Sequence, residues 1–375
     1  MKTIPSSVTT LSLLALAACA DGSAPVSAAS AGVAPLLSAA DGRGVPGAYV
    51  VVLKDDAEPR AIAAVAGVHP RHVYTAALTG FAAELNAGQL NALRRHPAVA
   101  YVEHDQLATA QQSIHWGLDR IDQQYLPLNG SYSANTTASS VYAYVIDTGI
   151  TPTHPELTGR VVNVYDAFGG TGVDCNGHGT LVSRVIGSST VGVAKQVKLR
   201  GVRVLNCTGS GTTSGIIAGV DWVRINRTNP AVANLSLGGG ASAALNTAVN
   251  NLANSGVAVA VAAGSGGTNA CNVSPGGATA ALTVTASTIA DAHAAGSNFG
   301  SCVDLYAPGS APAGAAGGTS MASAYVAGVA ALYKATFGNQ ATTTVNSWIT
   351  TNATPGILTG VPAGTPNKLL YKSNL

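Results

Sequence analysis

Charge is what this sequence has least of. Only 10% of its 375 residues are Asp, Glu, Lys or Arg, where about a quarter is usual for a soluble domain. The 19 Lys and Arg against 17 Asp and Glu leave a formal net charge of +2. There is no basic field to hold a phosphate backbone, which excludes nucleic acid as a partner. A coiled coil is excluded too, because it needs charged residues flanking its apolar seam. Disorder needs low hydrophobicity with high net charge, and a 47% hydrophobic fraction at +2 offers neither. No apolar run reaches the roughly 20 residues of a spanning helix. No C-x-x-C pair suggests zinc. The Gly-rich stretches at Gly169-Gly170 and Gly266-Gly267 lack the Lys-Ser/Thr of a phosphate loop. No internal repeat is present. In place of charge stand Gly, Ala, Ser, Thr and Asn, with 44 Gly alone. That is the make-up of a compact chain of small side chains, of the kind often exported.

The N-terminus agrees with export. Lys2 precedes a short apolar run from Val8 to Ala20, the pattern of a signal peptide. Leu16-Ala17-Ala18-Cys19 resembles a bacterial lipobox, in which Cys19 would carry lipid. A plain secretory signal cut after Val26-Ser27-Ala28 is the alternative. The chain is expected outside the cytoplasm, either secreted or anchored to the bacterial cell envelope. Apart from Cys19 the cysteines are Cys175, Cys207, Cys271 and Cys302. An even number in an exported chain predicts disulfides, and spacing leaves all three pairings open.

The reading divides the chain into a signal at 1–19, a flexible Ala/Ser/Gly/Pro spacer at 20–46, a small unit at 47–107 and a large domain at 108–375. The small unit carries predicted strands at Gly47–Leu53 and Ala98–Glu103 and a helix at Glu84–Arg95. With roughly 60 residues it should be marginal alone. Residues 105–114 read as a polar linker. Beyond residue 115, apolar strand-like runs alternate with helical stretches. The strands are Val141–Ile146, Gly201–Leu205, Val232–Leu237, Val257–Ala263 and Leu282–Ala286. The helices are Leu181–Ile186, Ser214–Ile225, Ala243–Asn254 and Met321–Tyr333. Apolar runs without alternation are those of parallel strands buried on both faces. The expected fold is α/β, a doubly wound and mostly parallel sheet preceded by a small α+β domain. Ligands on such sheets bind beyond the carboxyl ends of the strands.

Three motifs fall at element ends: Asp147-Thr148-Gly149 after a strand, Asn176-Gly177-His178-Gly179-Thr180 before a helix, and Gly318-Thr319-Ser320-Met321-Ala322 opening the last long helix. A nucleophilic Ser needs a base, and the base needs a group that holds its tautomer. The glycines leave the His178 and Ser320 side chains uncrowded. Each motif alone is a common cap or loop; the three in this order on this fold are not.

From Trp116 to Leu375 the chain resembles the subtilisin family of serine proteases, in its proteinase K branch and most closely its aqualysin-like members. The resemblance rests on Trp116-Gly117-Leu118-Asp119-Arg120-Ile121-Asp122, Tyr144-Val145-Ile146-Asp147-Thr148-Gly149-Ile150, Gly192-Val193-Ala194-Lys195, Gly201-Val202-Arg203-Val204-Leu205, Asn234-Leu235-Ser236-Leu237-Gly238-Gly239 and the Ser320 motif. The Asp…His…Ser order is itself the known order of subtilisin. Residues 47–107 resemble the family's inhibitory propeptide. The resemblance implies a serine endopeptidase made as a self-processing zymogen, with Ser320 as nucleophile, His178 as general base and acid, and Asp147 as orienting carboxylate. Protein or peptide substrates would pair with Ser236-Leu237-Gly238 and Gly209-Ser210-Gly211, and Ala262-Ala263-Gly264 would line the specificity pocket. Cys175–Cys207 and Cys271–Cys302 would be the disulfides. No cofactor is implied for catalysis. Asp304 matches a calcium ligand, with the carbonyls of Thr279 and Ala281, although a capped turn explains Asp304 equally. The propeptide would be an intramolecular inhibitor, and the protein a monomer.

The sequence also departs from the family. Ser265 stands where the family has its oxyanion-hole Asn. Leu181-Val182-Ser183-Arg184 replaces His-Val-Ala-Gly, putting a long cation where a small residue packs against the sheet. Ser323-Ala324-Tyr325 replaces Thr-Pro-His, so Ala324 removes a proline kink and is expected to shift Ser320. Only Ser310 to Gly317 separate Gly309 from Gly318, far fewer residues than in relatives. These departures leave open an alternative: a protease-derived binding or structural lipoprotein with little or no catalysis.

Overall fold

The structure, a computed structural model, describes residues 32–39, 44–109, 116–310 and 317–375. The signal peptide and Cys19 lie outside the described residues. No helix among the described residues is long and apolar enough to cross a membrane.

The first part is a sheet built from β1 (Leu36–Leu37), β2 (Gly44–Leu53), β3 (His72–Tyr74), β4 (Gly80–Glu84) and β5 (Val99–Thr109). Their order across it is β1-β5-β2-β4-β3. Two helices cover it, α1 (Pro59–Val65) and α2 (Ala87–Arg95). The expected helix at Glu84–Arg95 begins three residues later, because Glu84 ends β4 and Asn86 caps the helix in a reciprocal box with Gln89. Part of the expected spacer is structured. Leu36 and Leu37 pair in parallel with Val102 and Glu103, Ala34 is buried in the sheet's core, and β2 already begins at Gly44. The linker reading of 105–114 also fails in its first half, since β5 runs on to Thr109. His115 and its five predecessors lie outside the described residues.

The second part opens with α3 (Gly117–Arg120) and is dominated by a nine-stranded sheet. Its strands are β6 (Tyr142–Asp147), β7 (Val161–Asp166), β8 (Lys198–Arg203), β10 (Ala231–Leu235), β12 (Ala258–Ala262), β14 (Leu282–Ser287), β15 (Leu305–Pro308), β16 (Thr354–Pro355) and β17 (Lys368–Leu369). They lie in the order β16-β17-β15-β14-β12-β10-β6-β8-β7, all parallel except β16 against β17. Helices α4 (His178–Gly187), α5 (Thr213–Asn226), α6 (Ala243–Asn254), α7 (Thr319–Phe337) and α8 (Thr342–Asn352) connect them. Three short strands stand apart, β9 (Ser210–Thr212), β11 (Gly239–Gly240) and β13 (Val273–Ser274). This is the expected doubly wound α/β sheet, with β7, β15, β16 and β17 added to the strands read from sequence.

Burial on both faces explains the unalternating apolar runs. Along β6, Ala143 and Val145 pack into one core with α4 and α7, while Tyr144 and Ile146 pack into the other with α5 and α6. Along β12, Ala258 and Ala260 face the first core, and Val259 and Val261 the second. The small residues sit on the α7 side, where Gly328 leaves no room for a side chain against Val193. Close packing of α7 on β10, β12, β14 and β15 is thus what the Ala- and Gly-rich composition provides.

Candidate active site

β6, β10 and β12 are parallel neighbours, so Asp147, Leu235 and Ala262 end at one edge of the sheet. Asp147 is fully buried there. Its backbone carbonyl takes the N–H of Val204 (2.8 Å) and of Leu205 (3.1 Å), which fixes the strand end. Carboxylate oxygen Oδ1 accepts from the backbone N–H of Thr148 at 2.7 Å and lies 2.8 Å from His178 Nδ1. Oδ2 is buried and has no hydrogen-bond partner among the described residues.

His178 is the first residue of α4 and is also buried. The backbone reaches this position through Gly177 at φ 103°, a left-handed conformation that favours glycine. Gly179 is needed for a different reason: a Cβ there would run into the carbonyl oxygen of Gly149. The helix therefore approaches the end of β6 closely enough for a direct Asp–His hydrogen bond.

Ser320 lies in the first turn of α7, which packs against α4. Its hydroxyl donates to the carbonyl of Ser236 at 3.2 Å. The Ser320 carbonyl in turn accepts from the hydroxyls of Ser236 (2.6 Å) and Ser323 (3.0 Å). One expected disturbance has another outcome. Arg184 does not press on the sheet; it turns outward and pairs with Glu156 at 2.9 Å. Ala324 is buried in an α7 that runs unbroken from Thr319 to Phe337, as expected where no proline kinks its start.

A cavity of about 430 Å³ opens beside Ser320. Ser236, Leu237 and Gly238 form one wall and Ala262, Ala263, Gly264 and Ser265 another. Ser265 Oγ stands 3.3 Å from Thr319 Oγ1. Sequence reasoning missed Asn298, which shapes this wall. Its Oδ1 accepts from the N–H of Gly266 and of Thr268, both at 3.0 Å, and its Nδ2 donates to the Ala263 carbonyl at 2.8 Å. Nothing in its own surroundings in the chain marks it.

Gly209, Ser210 and Gly211 stand apart from that cavity. Residues 210–212 form β9, and β5 lies antiparallel on it, with Leu107 opposite Thr212, Ala108 opposite Gly211 and Thr109 opposite Ser210. The same tail caps two helices. Glu103 accepts from the N–H of Ala244 at 2.9 Å, at the start of α6. Asp105 accepts from the N–H of Ser214 at 2.8 Å and from its hydroxyl, at the start of α5. Burial pushes both carboxyls up, and these hydrogen bonds pull the other way. In return, Asp221 of α5 accepts from the N–H groups of Thr75, Ala76 and Ala77.

Of the three possible pairings, the structure forms Cys175–Cys207 and Cys271–Cys302. The first closes the loop before His178 onto the segment leading to β9. Asp304 Oδ2 accepts from the Thr283 N–H at 2.8 Å, and burial pushes this carboxyl up to about 6. Of the two residues expected beside it, Ala281 is buried just before β14 and Thr279 is exposed.

Comparison with known proteins bears on this arrangement. Residues 139–369 match the family model described as the subtilase family, and residues 48–111 match peptidase inhibitor I9. An extracellular serine proteinase of Thermus sp. (strain Rt41A) is 45% identical, over 96% of this chain and 97% of its own length. Alkaline serine exoprotease A of Vibrio alginolyticus is 46% identical over 80% of this chain, which spans 59% of that relative's length. A solved structure of a cold adapted subtilisin-like serine proteinase is 47% identical, with a TM-score of 0.67, covering 69% of this chain and 98% of that one.

Proposed function

We propose how this chain, which belongs to the subtilase family and is a subtilisin-like serine endopeptidase with an I9 propeptide, cuts a peptide bond. Ser320 Oγ attacks the scissile carbonyl, and its proton passes to His178 Nε2. To do so the hydroxyl turns away from the Ser236 carbonyl. Asp147 Oδ1 holds the Nδ1–H of His178, which sets the tautomer and stabilises the imidazolium that forms. The developing oxyanion is met by the Ser320 N–H and the Ser265 hydroxyl. His178 then protonates the leaving amine, and water hydrolyses the acyl-enzyme by the same steps in reverse. The observation that carries this reading is the buried 2.8 Å contact between Asp147 and His178, at the sheet edge where the Ser320 turn borders the cavity. A fluorophosphonate should label Ser320 of the processed protein. Absence of label would favour the alternative, a binding protein that keeps the triad without using it.

The propeptide reading rests on β5. A strand lying antiparallel on β9 occupies the place an extended substrate would take, by main-chain pairing. The self-processing cut then falls among residues 110–115, between Thr109 and Trp116, a little beyond the boundary at 107. A large parallel sheet has high contact order and folds slowly, and capping of α5 and α6 by Asp105 and Glu103 is a rationale for a folding aid. Export follows from the N-terminal segment and agrees with the extracellular relative. Cys19 would carry the lipid if the signal is of the lipoprotein kind.

Calcium would be structural, not catalytic. Asp304 offers one carboxylate with one oxygen engaged. Asp119 and Asp122 fit a hard cation better. Each gives one oxygen to a backbone N–H, of Gly130 and Ser133 respectively, and each keeps a buried Oδ1 without a partner among the described residues. Orphaned carboxylate oxygens are what calcium coordinates. A chelator should lower Tm by roughly 5–10 °C, as expected when a ligand at about 100 times its Kd is removed. Asp122→Asn should abolish most of that response. A wild-type Tm indifferent to chelator would exclude a calcium site.

A further inference from the structure

We propose that Asp174 is a positioning residue that sets the imidazole of His178 against the carboxylate of Asp147, an inference that rests on the triad reading above. Asp174 lies in the loop between β7 and α4, four residues before His178. Its carboxylate can only accept hydrogen bonds, and five donors converge on it. Oδ1 accepts from the Thr148 hydroxyl at 2.8 Å and from the N–H groups of Asn176 (2.9 Å) and Gly177 (2.8 Å). Oδ2 accepts from the N–H of Thr180 at 2.9 Å and from its hydroxyl at 2.6 Å.

These donors flank both members of the pair. Thr148 follows Asp147; Asn176, Gly177 and Thr180 bracket His178. The Thr148 hydroxyl, committed to Asp174 as a donor, accepts the N–H of Gly179 at 2.8 Å. The result is a closed ring of contacts from Asp147 through Thr148 and Asp174 to the backbone around His178, and back through the 2.8 Å contact to Asp147.

Two features make this ring necessary. The residue before α4 is Gly177, which has no side chain to cap the helix, so the N–H groups of its first turn are taken by others: that of His178 by Asn176 Oδ1 at 3.3 Å, that of Gly179 by the Thr148 hydroxyl and that of Thr180 by Asp174. And Asp147 offers His178 a single oxygen, already shared with the Thr148 N–H, while its Oδ2 has no partner among the described residues. One shared oxygen fixes the tautomer, and where the imidazole stands against that oxygen depends on the backbone that carries it, which Asp174 holds on both sides of His178. The loop has supports of its own, in the Cys175–Cys207 disulfide and the Asn176 Nδ2 contact to the Cys207 carbonyl at 3.2 Å. Loss of the Asp174 charge should therefore misplace the imidazole without unfolding the loop.

The test measures kcat and KM per active site, counted by fluorophosphonate titration, so that misfolded protein drops out. Asp174→Asn sets an NH2 group against two or three donors and should lower kcat about 10²-fold, the cost of roughly 1 Å of misplacement. KM should stay within about threefold. Thr148→Val should do the same, Thr148→Ser should keep most of the rate, and the double variant Asp174→Asn/Thr148→Val should be no slower than either single one. Unchanged kcat per titrated site in Asp174→Asn, or losses that multiply in the double variant, would overturn the proposal. Failure of the wild-type protein to titrate at all would instead overturn the triad reading on which it rests.

Discussion

Replacing Ser320 with alanine is expected to lower turnover about 10⁶-fold, the loss measured for the nucleophile of subtilisin, the type member of the family. The hydroxyls of Ser236 and Ser323 cannot substitute. Ser236 Oγ and Ser323 Oγ both point at the Ser320 carbonyl, on the helix side of the nucleophile, and are buried with it. The same change should leave the chain at full length, because the cut between Thr109 and Trp116 is taken to be its own work. Amino-terminal sequencing of the wild-type mature protein should find a start between residues 110 and 116. If Cys19 is lipidated, the uncut variant should stay with the membrane fraction while the wild-type mature domain is released. A processed Ser320→Ala chain would show that another protease makes the cut. A processed wild-type domain that stays membrane-bound would sink the release model.

The second large effect is a gain. Ser265→Asn is expected to raise kcat by about 10- to 100-fold with little change in KM. Loss of the corresponding Asn donor costs about 10²–10³, a magnitude that comes from subtilisin itself. Ser265 does occupy the wall of the cavity beside Ser320, but its hydroxyl faces Thr319 Oγ1 at 3.3 Å. A hydroxyl one bond from Cβ has a shorter reach than an amide N–H two bonds away. The introduced amide would also be rigidly based. Gly264 sits at φ 95°, and Asn298 clamps the carbonyl of Ala263 and the N–H of Gly266 on either side. An unchanged or lower kcat in Ser265→Asn would mean that the oxyanion is held elsewhere, with the Ser320 N–H and the Thr319 hydroxyl as the nearest donors.

Legibility from sequence follows the range of the interactions involved. Helix α6 is read to the residue, Ala243–Asn254, because its signals are local: Ser242 caps it, and Ala244, Leu245, Ala248, Val249 and Leu252 recur at helical spacing on its buried side. Strand β8 is read three residues late. Lys198 and Arg200 look like loop residues, yet both cations lie over the Tyr142 ring of the neighbouring strand. The tail at 105–109 reads as a linker because nothing local makes it a strand; its partner β9 is about a hundred residues away. Arg184 reads as an intrusion until Glu156, 28 residues earlier, is seen to take its charge.

The sequence by itself determined the family, the α/β class, the Asp…His…Ser order and the residues flanking the cavity. Such things are written in short motifs, in apolar runs and in glycines whose conformations few other residues adopt. Only the tertiary structure decided how those residues meet. It set Asp147 2.8 Å from His178, left the second Asp147 oxygen without a partner among the described residues, turned Ser265 towards Thr319, and gathered five donors from four residues onto Asp174. The Asp147–His178, Ser265–Thr319 and Thr148–Asp174 contacts join segments whose separation in the chain carries no record of the angle at which parallel strands and their helices bring them together.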